Sequence, residues 1–173
     1  MLKQASVESL RTGAVARKNG YIAVTMHHYP RGLKKDLRDE YISALAPSDK
    51  LLHDFLAHVK EHGEDHNLAF EACHYEKRFG ITAEGLAHLQ RLIEMSKSKD
   101  VYLVCQCHDD ERCHRELLLM MAKEWFGAKT APLRFHYETF AHRLKKKPPA
   151  NLDYSPVSGA RGRGLEWPIP LRD

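Results

Sequence analysis

Residues 101–127 read VYLVCQCHDDERCHRELLLMMAKEWFG, and this stretch decides the fold. Its first part, VYLVCQC, is an almost unbroken apolar run of strand length. Such a run fits the middle of a parallel sheet, where both faces are covered. Its last part, DERCHRELLLMMAKEWFG, has helical period and closes on Gly127, a common helix stop. A buried strand that feeds directly into a helix is the repeating unit of layered α/β domains. Between strand and helix, residues 105–115 hold three of the four cysteines, two histidines and two arginines.

Upstream, YIAVTM is β-rich and bounded by Asn19-Gly20 and Pro30, which predicts a second strand at about 21–27. Asn-Gly favours a tight hairpin turn, here back toward AVARK, with an earlier short strand near SVESL. From 33 to 99 the period is helical. DLRDEYISAL reads as a short helix ending before Pro47. PSDKLLHDFLAHVKEHG follows with Ser48 as its cap, and Leu51, Leu52, Phe55, Leu56 and Val59 on one face. NLAFEACHYEKRFG reads as one helix ended by Gly80. TAEGLAHLQRLIEMSKS is capped by Thr82, with Leu86, Leu89, Leu92 and Ile93 facing inward. LRFHYETF reads as a last short strand. The expected architecture is a three-layer α/β sandwich with a mainly parallel sheet flanked by helices, built by residues 1–140.

Composition bounds the class. At 173 residues, 43% hydrophobic and 29% charged, the chain can close one core in water. No apolar run approaches the ~20 residues that span a bilayer, so no membrane partner is expected. MLKQASVESL lacks the apolar core of a signal peptide, so the expected location is cytoplasmic. Four cysteines with three crowded together are read as reduced thiols rather than a disulfide framework. The net charge of +4 resides in residues 141–173, where Arg143, Lys145, Lys146, Lys147, Arg161, Arg163 and Arg172 face Asp153, Glu166 and Asp173. This tail is rich in proline and glycine and has no periodicity, so it reads as an extended segment.

Three chemistries fit the cysteine-rich turn. Cys105, in mid-strand, reads as a small core residue. Cys107, His108, Cys113 and His114 are zinc-ligand types, but one turn does not easily surround an ion, so no bound metal and no cofactor is expected. Asp109 or Asp110 would cap the helix, placing Cys113 in its first turn. There, backbone N–H groups with Arg112, His114 and Arg115 favour a thiolate or a bound anion, against the acidic loop 109–111. No G-x-G-x-x-G or G-x-x-x-x-G-K-[ST] loop is present.

VYLVCQCHDDERCHRELLL resembles the Cys-His-Arg block of the family known as domain of unknown function 488. HHYPRGLKKD…ISALAPSDKLLHDF resembles that family's W-P-R-G…L-A-P-S blocks, with Tyr29 in place of the Trp. The likeness covers about residues 20–126. It implies a cytoplasmic α/β fold and motif residues at Tyr29, Pro30, Arg31, Gly32, Cys113, His114 and Arg115, with no activity to carry over. If strands 21–27 and 101–107 are parallel neighbours, both loops leave the same sheet edge and converge around Cys113.

The functional expectation is an anion- or nucleotide-binding site formed by these loops. Cys113 and His114 would be catalytic, and Arg31, Arg115 and Tyr29 would bind substrate. Two alternatives stand beside it: nucleic-acid binding through the basic tail, and metal binding by the Cys/His cluster.

Overall fold

A computed structural model describes residues 1–145. Four strands make one sheet: β1 (Leu2–Ser6), β2 (Tyr21–Val24), β3 (Glu40–Tyr41) and β4 (Val101–Cys105). All pair in parallel, in the order β1-β4-β2-β3. The apolar run therefore takes an inner position, as its composition demands. Leu2 pairs with Val101 and Ser6 with Cys105 on one side, and Tyr21 with Val101 on the other. The helices are α1 (Val7–Arg11), α2 (Asp49–Glu61), α3 (His66–Ala72), α4 (Tyr75–Arg78), α5 (Ala83–Ser96), α6 (His114–Phe126) and α7 (Glu138–Leu144).

Alternation along β4 divides the core in two. Val101 and Leu103 point into the larger cluster with Leu117, Leu118, Leu89 and Phe70. Val104 points the other way, onto Val7, Leu10, Ile22 and Val24. Each wholly buried leucine contributes roughly 1.5–3 kcal/mol, so β4 is held from both faces. The result is an α/β sandwich in which α5 and α6 cover one face. The other face is covered more thinly, by α1 and by Leu33, Leu37 and Tyr29 of the loop after β2.

Helix starts follow the side-chain caps. Ser48 Oγ accepts from Leu51 N and Thr82 Oγ1 from Gly85 N. Leu51, Phe55 and Val59 are buried in α2, whereas Leu56 is exposed, so the buried stripe is narrower than the sequence implied.

Several local expectations are corrected. Asn19-Gly20 makes no hairpin. Asn19 Oδ1 instead accepts from Ala16 N around a 3₁₀ turn at Arg17–Asn19, and both neighbours of β2 are parallel strands. The segment near SVESL splits, because Ser6 ends β1 and caps α1 through Ser9 N. The helix expected over DLRDEYISAL is replaced by 3₁₀ turns at Lys35–Leu37 and Ser43–Leu45 flanking β3. The edge of β2 recruits this segment: Asp39 N donates to Ile22 O, Ile42 N donates to Val24 O, and Asp39 Oδ2 accepts from Ile22 N. The helix expected over 67–80 breaks at His74, whose φ of 53° lies in the left-handed region.

LRFHYETF forms no strand. Tyr137 and Phe140 are buried there, and α7 continues across residue 140 to Leu144. The basic Pro/Gly-rich segment beyond residue 145, with its expected contact to nucleic acid, lies outside the described residues. Among the described residues no helix is long and apolar enough to cross a membrane.

Candidate functional site

The site grows from the end of β4. The strand stops at Cys105, and the chain loops over 106–112 before α6 begins. The cap of α6 is Cys113, with extended φ and ψ of -148° and 149°, not Asp109 or Asp110. Asp109 is drawn off by Arg134, 2.9 Å away, and the Asp110 carbonyl accepts from Asn67. Cys113 therefore sits where unpaired helix N–H groups concentrate positive potential.

Two side chains close around its sulfur. His114 Nδ1 lies 3.5 Å from Cys113 Sγ. The other ring nitrogen, Nε2, is 2.6 Å from the carbonyl oxygen of Thr25, just past β2. A carbonyl only accepts, so the proton stays on Nε2 and a neutral ring offers its lone pair to the thiol from Nδ1. Arg115 Nε donates to Cys113 Sγ at 3.3 Å. The remaining guanidinium donors reach Ala5 O, Cys107 O and His108 O. Four of five N–H groups of Arg115 are thus spent inside the protein, and the residue is 1% exposed.

The electrostatics follow. Burial opposes ionisation of Cys113. Hydrogen bonds from the Cys105 and Cys107 thiols, with the charges of Arg115 and His114, outweigh it and hold the thiol well below the ordinary range. Burial likewise works against a charged His114, yet the sulfurs of Cys113 and Cys105 raise it well above the usual imidazole value. Cys107 moves the opposite way: its hydrogen bonds to Cys105 and Cys113, together with burial, push it well up. The directions agree: the surroundings favour charge on Cys113 and a proton on His114, and keep the proton on Cys107.

A second set of bonds fixes the helix start from below. Glu116 is buried, with Oε1 accepting from Gln4 Nε2 and Arg134 N, and Oε2 from Tyr137 OH. The Tyr137 hydroxyl in turn accepts from Cys113 N at 3.4 Å. Burial and the Glu116 charge push the Tyr137 phenol strongly up, so it stays protonated as a donor.

A family model described as "Active DUF488-N3 subclade" matches residues 6–126, from the end of β1 to the end of α6. This chain belongs to the DUF488 family. No curated protein and no solved structure matches the chain. Within this DUF488 protein, Cys113 touches both His114 and Arg115. Their carbonyl partners on β1 and beyond β2 lie at the carboxyl edge of the sheet.

The first loop meets the second through Thr25 O rather than through its arginine. Arg31 is exposed, and its carbonyl accepts from Arg11; among the described residues no hydrogen bond or ion pair joins its side chain to the cluster. Tyr29 is half-buried, packed edge-on against Tyr41 with Arg38 over its ring at 5.1 Å.

Cys105 is buried with the core, as its place in the strand implies. Donor atoms of Cys105, Cys113 and His114 lie within 4.8 Å of one another, an arrangement compatible with a metal site. Thr25 and Tyr137 have no signal in the sequence, since one acts through a backbone oxygen and the other sits in a segment read as strand. Glu116 did leave one: a carboxylate directly ahead of LLLMM on the apolar side of a helix needs partners if it is buried.

Proposed function

We propose that this DUF488 protein is a thiol-dependent enzyme in which Cys113 is the nucleophile and His114 its proton partner. The proposed substrate is an anionic small molecule, such as a nucleotide or phosphate ester. The observation that carries the reading is the chain Cys113 Sγ–His114 Nδ1, His114 Nε2–Thr25 O, with Arg115 Nε on the same sulfur. A nucleophile, a base and a group that orients the base are the parts of an activated cysteine. The thiolate would attack the electrophilic centre, the bond to the leaving group would break, and the imidazolium would give its proton to the departing atom. Water would then cleave the enzyme–substrate bond, with the imidazole taking the water's proton.

Arg115 serves this chemistry by stabilising the thiolate and holding the loop, because its donors are already engaged. Substrate charge falls to the first loop, where Arg31 is exposed and Tyr29 stands beside Arg38. Entry is by way of Cys107, the half-exposed member of the sulfur cluster.

The test has two arms. The first is alkylation by iodoacetamide at neutral pH, mapped by mass spectrometry. Cys113 labels faster than Cys105 in the folded protein and slows in His114→Asn. The second is turnover of a panel of nucleotides and aryl phosphates, abolished by Cys113→Ser. Labelling of Cys113 no faster than Cys105, or turnover that survives Cys113→Ser, would sink the reading. A second reading, an ion held by Cys105, Cys113 and His114, is favoured by the closeness of those donors. It predicts that bound zinc protects all three from labelling.

A further inference from the structure

At the solvent rim of the same loop stands another group of donors. His66 opens α3, and Cys107 and Glu111 lie on the loop between β4 and α6. One ring nitrogen, one sulfur and one carboxylate oxygen from these residues lie within 4.8 Å of each other, and all three residues are half-buried. One turn could not surround an ion by itself; α3 brings in a ligand from outside it.

Nδ1 of His66 is buried and, among the described residues, has no hydrogen-bond partner, although Glu111 Oε2 is only 3.2 Å away. A buried polar atom without a partner calls for an explanation. The separation supplies one. Zinc bonds of ~2.0 Å to nitrogen and oxygen, set tetrahedrally, put those two atoms about 3.3 Å apart. The pair is spaced like two ligands of one ion.

The surroundings hold the ligands in place. Asn67, next to His66, donates to Asp110 O at 3.1 Å and accepts from Arg112 N at 2.7 Å, so both residues flanking Glu111 are tied to the start of α3. The Glu111 carboxylate also accepts from His108 N at 2.7 Å. The His66 ring packs edge-on against Phe55, with centroids 5.7 Å apart. Ligands oriented by such outer contacts bind metal more tightly than floppy ones.

We propose that His66, Cys107 and Glu111 form a divalent-metal site with the chemistry of zinc. Nitrogen, thiolate and carboxylate together suit a borderline-soft ion. Three protein ligands with a solvent-facing fourth position are the pattern of zinc sites that bind water or substrate. Cys107 gives up its proton on binding, so metal uptake releases protons. The site does not depend on the catalytic assignment of Cys113. It lies one thiol from the buried cluster, since Cys107 Sγ is 3.7 Å from Cys105 Sγ.

The experiment is a cobalt(II) titration of the full chain, first stripped of metal under reducing conditions, with zinc as competitor. The expected result is about one equivalent bound, with a thiolate-to-cobalt charge-transfer band and displacement by zinc. His66→Ala, Cys107→Ser and Glu111→Gln each weaken binding by at least about tenfold, while Cys105→Ser and His114→Asn leave it within about twofold. Glu111→Gln preserves shape and serves as the deciding variant if His66→Ala does not fold. Absence of a thiolate band overturns the proposal. So does a band that survives Glu111→Gln and vanishes in Cys105→Ser, which would assign the ion to the inner cluster.

Discussion

Arg115→Met asks what the buried guanidinium does for the fold. Methionine keeps the volume of the stem and removes the charge. Four acceptors lose a donor: the carbonyls of Ala5, Cys107 and His108, and the sulfur of Cys113. Cys107 is half-buried and His108 exposed, so water can serve those two carbonyls. Ala5 is 3% exposed, and its carbonyl would stay dry at a cost of about 1–3 kcal/mol. Loss of the charged bond to Cys113 adds about 1.5–3 kcal/mol. Against this, the guanidinium no longer has to be desolvated, which returns part of the sum. The expected net loss is about 2–4 kcal/mol, a large share of the ~5–15 kcal/mol that holds a domain together. For a chain of this size it lowers Tm by roughly 4–16 °C. Urea unfolding followed by circular dichroism, with an unchanged slope, reads it directly. Stability within about 0.5 kcal/mol of wild type would refute the reasoning, because it would mean the Ala5 carbonyl does not rely on Arg115.

Other consequences are as easily checked. Gly85→Ala would normally gain about 1 kcal/mol within a helix. Here the new Cβ meets the Ala44 carbonyl oxygen well inside contact distance, so the variant should lose about 1–3 kcal/mol in urea, and a gain would contradict the packing of α5. Tyr137→Phe removes a donor to Glu116 and an acceptor for Cys113 N, and should lower stability by about 1–2 kcal/mol by the same assay. Alkylation of Cys113 should stay fast as pH falls from 9 to neutrality, whereas Cys73, whose thiol burial pushes up, should slow throughout. The sign of the stability effect follows. The Cys113 contribution is complete above the ordinary thiol value of about 8.5 and is lost as pH falls through its lowered value. The His114 contribution is complete below about 6.5 and is lost as pH rises through its raised value. Cys113→Ala should flatten the pH dependence of Tm.

The β4–α6 unit was legible because a long apolar run and a helical period meet within one stretch. Helices α2 and α5 were legible through Ser48 and Thr82, whose caps act locally. What escaped reading is what the rest of the fold imposes. A two-residue strand such as β3 has no pattern of its own; the unpaired edge of β2 creates it. His74 adopts a left-handed conformation that the side chain does not advertise. Around 133–140, Leu133, Phe135 and Tyr137 alternate like a strand, yet Leu133 is exposed and Tyr137 serves Glu116. At the site, the contact of Cys113 with His114 could be read from adjacency. Thr25 could not, because any residue has a carbonyl there. His66 could not, because only the folded chain brings α3 against the loop.

The placement of β4 also sets the order of events during synthesis. β1 is made first but has a partner only when residue 101 exists, and β2 shares that partner. β1 must wait unpaired, and β2 holds only the two-residue β3, while the helices between them emerge. Non-local parallel pairing of this kind slows folding and leaves strand edges open meanwhile. The strand that completes the sheet is followed at once by Cys113, His114 and Arg115. The tie from Arg115 to the Ala5 carbonyl therefore joins the helix after the last strand of the sheet to the first strand of the sheet. A nascent chain halted before residue 101 would lack both the central strand and this fastening, so a ribosome-bound fragment ending near residue 100 should remain protease-sensitive.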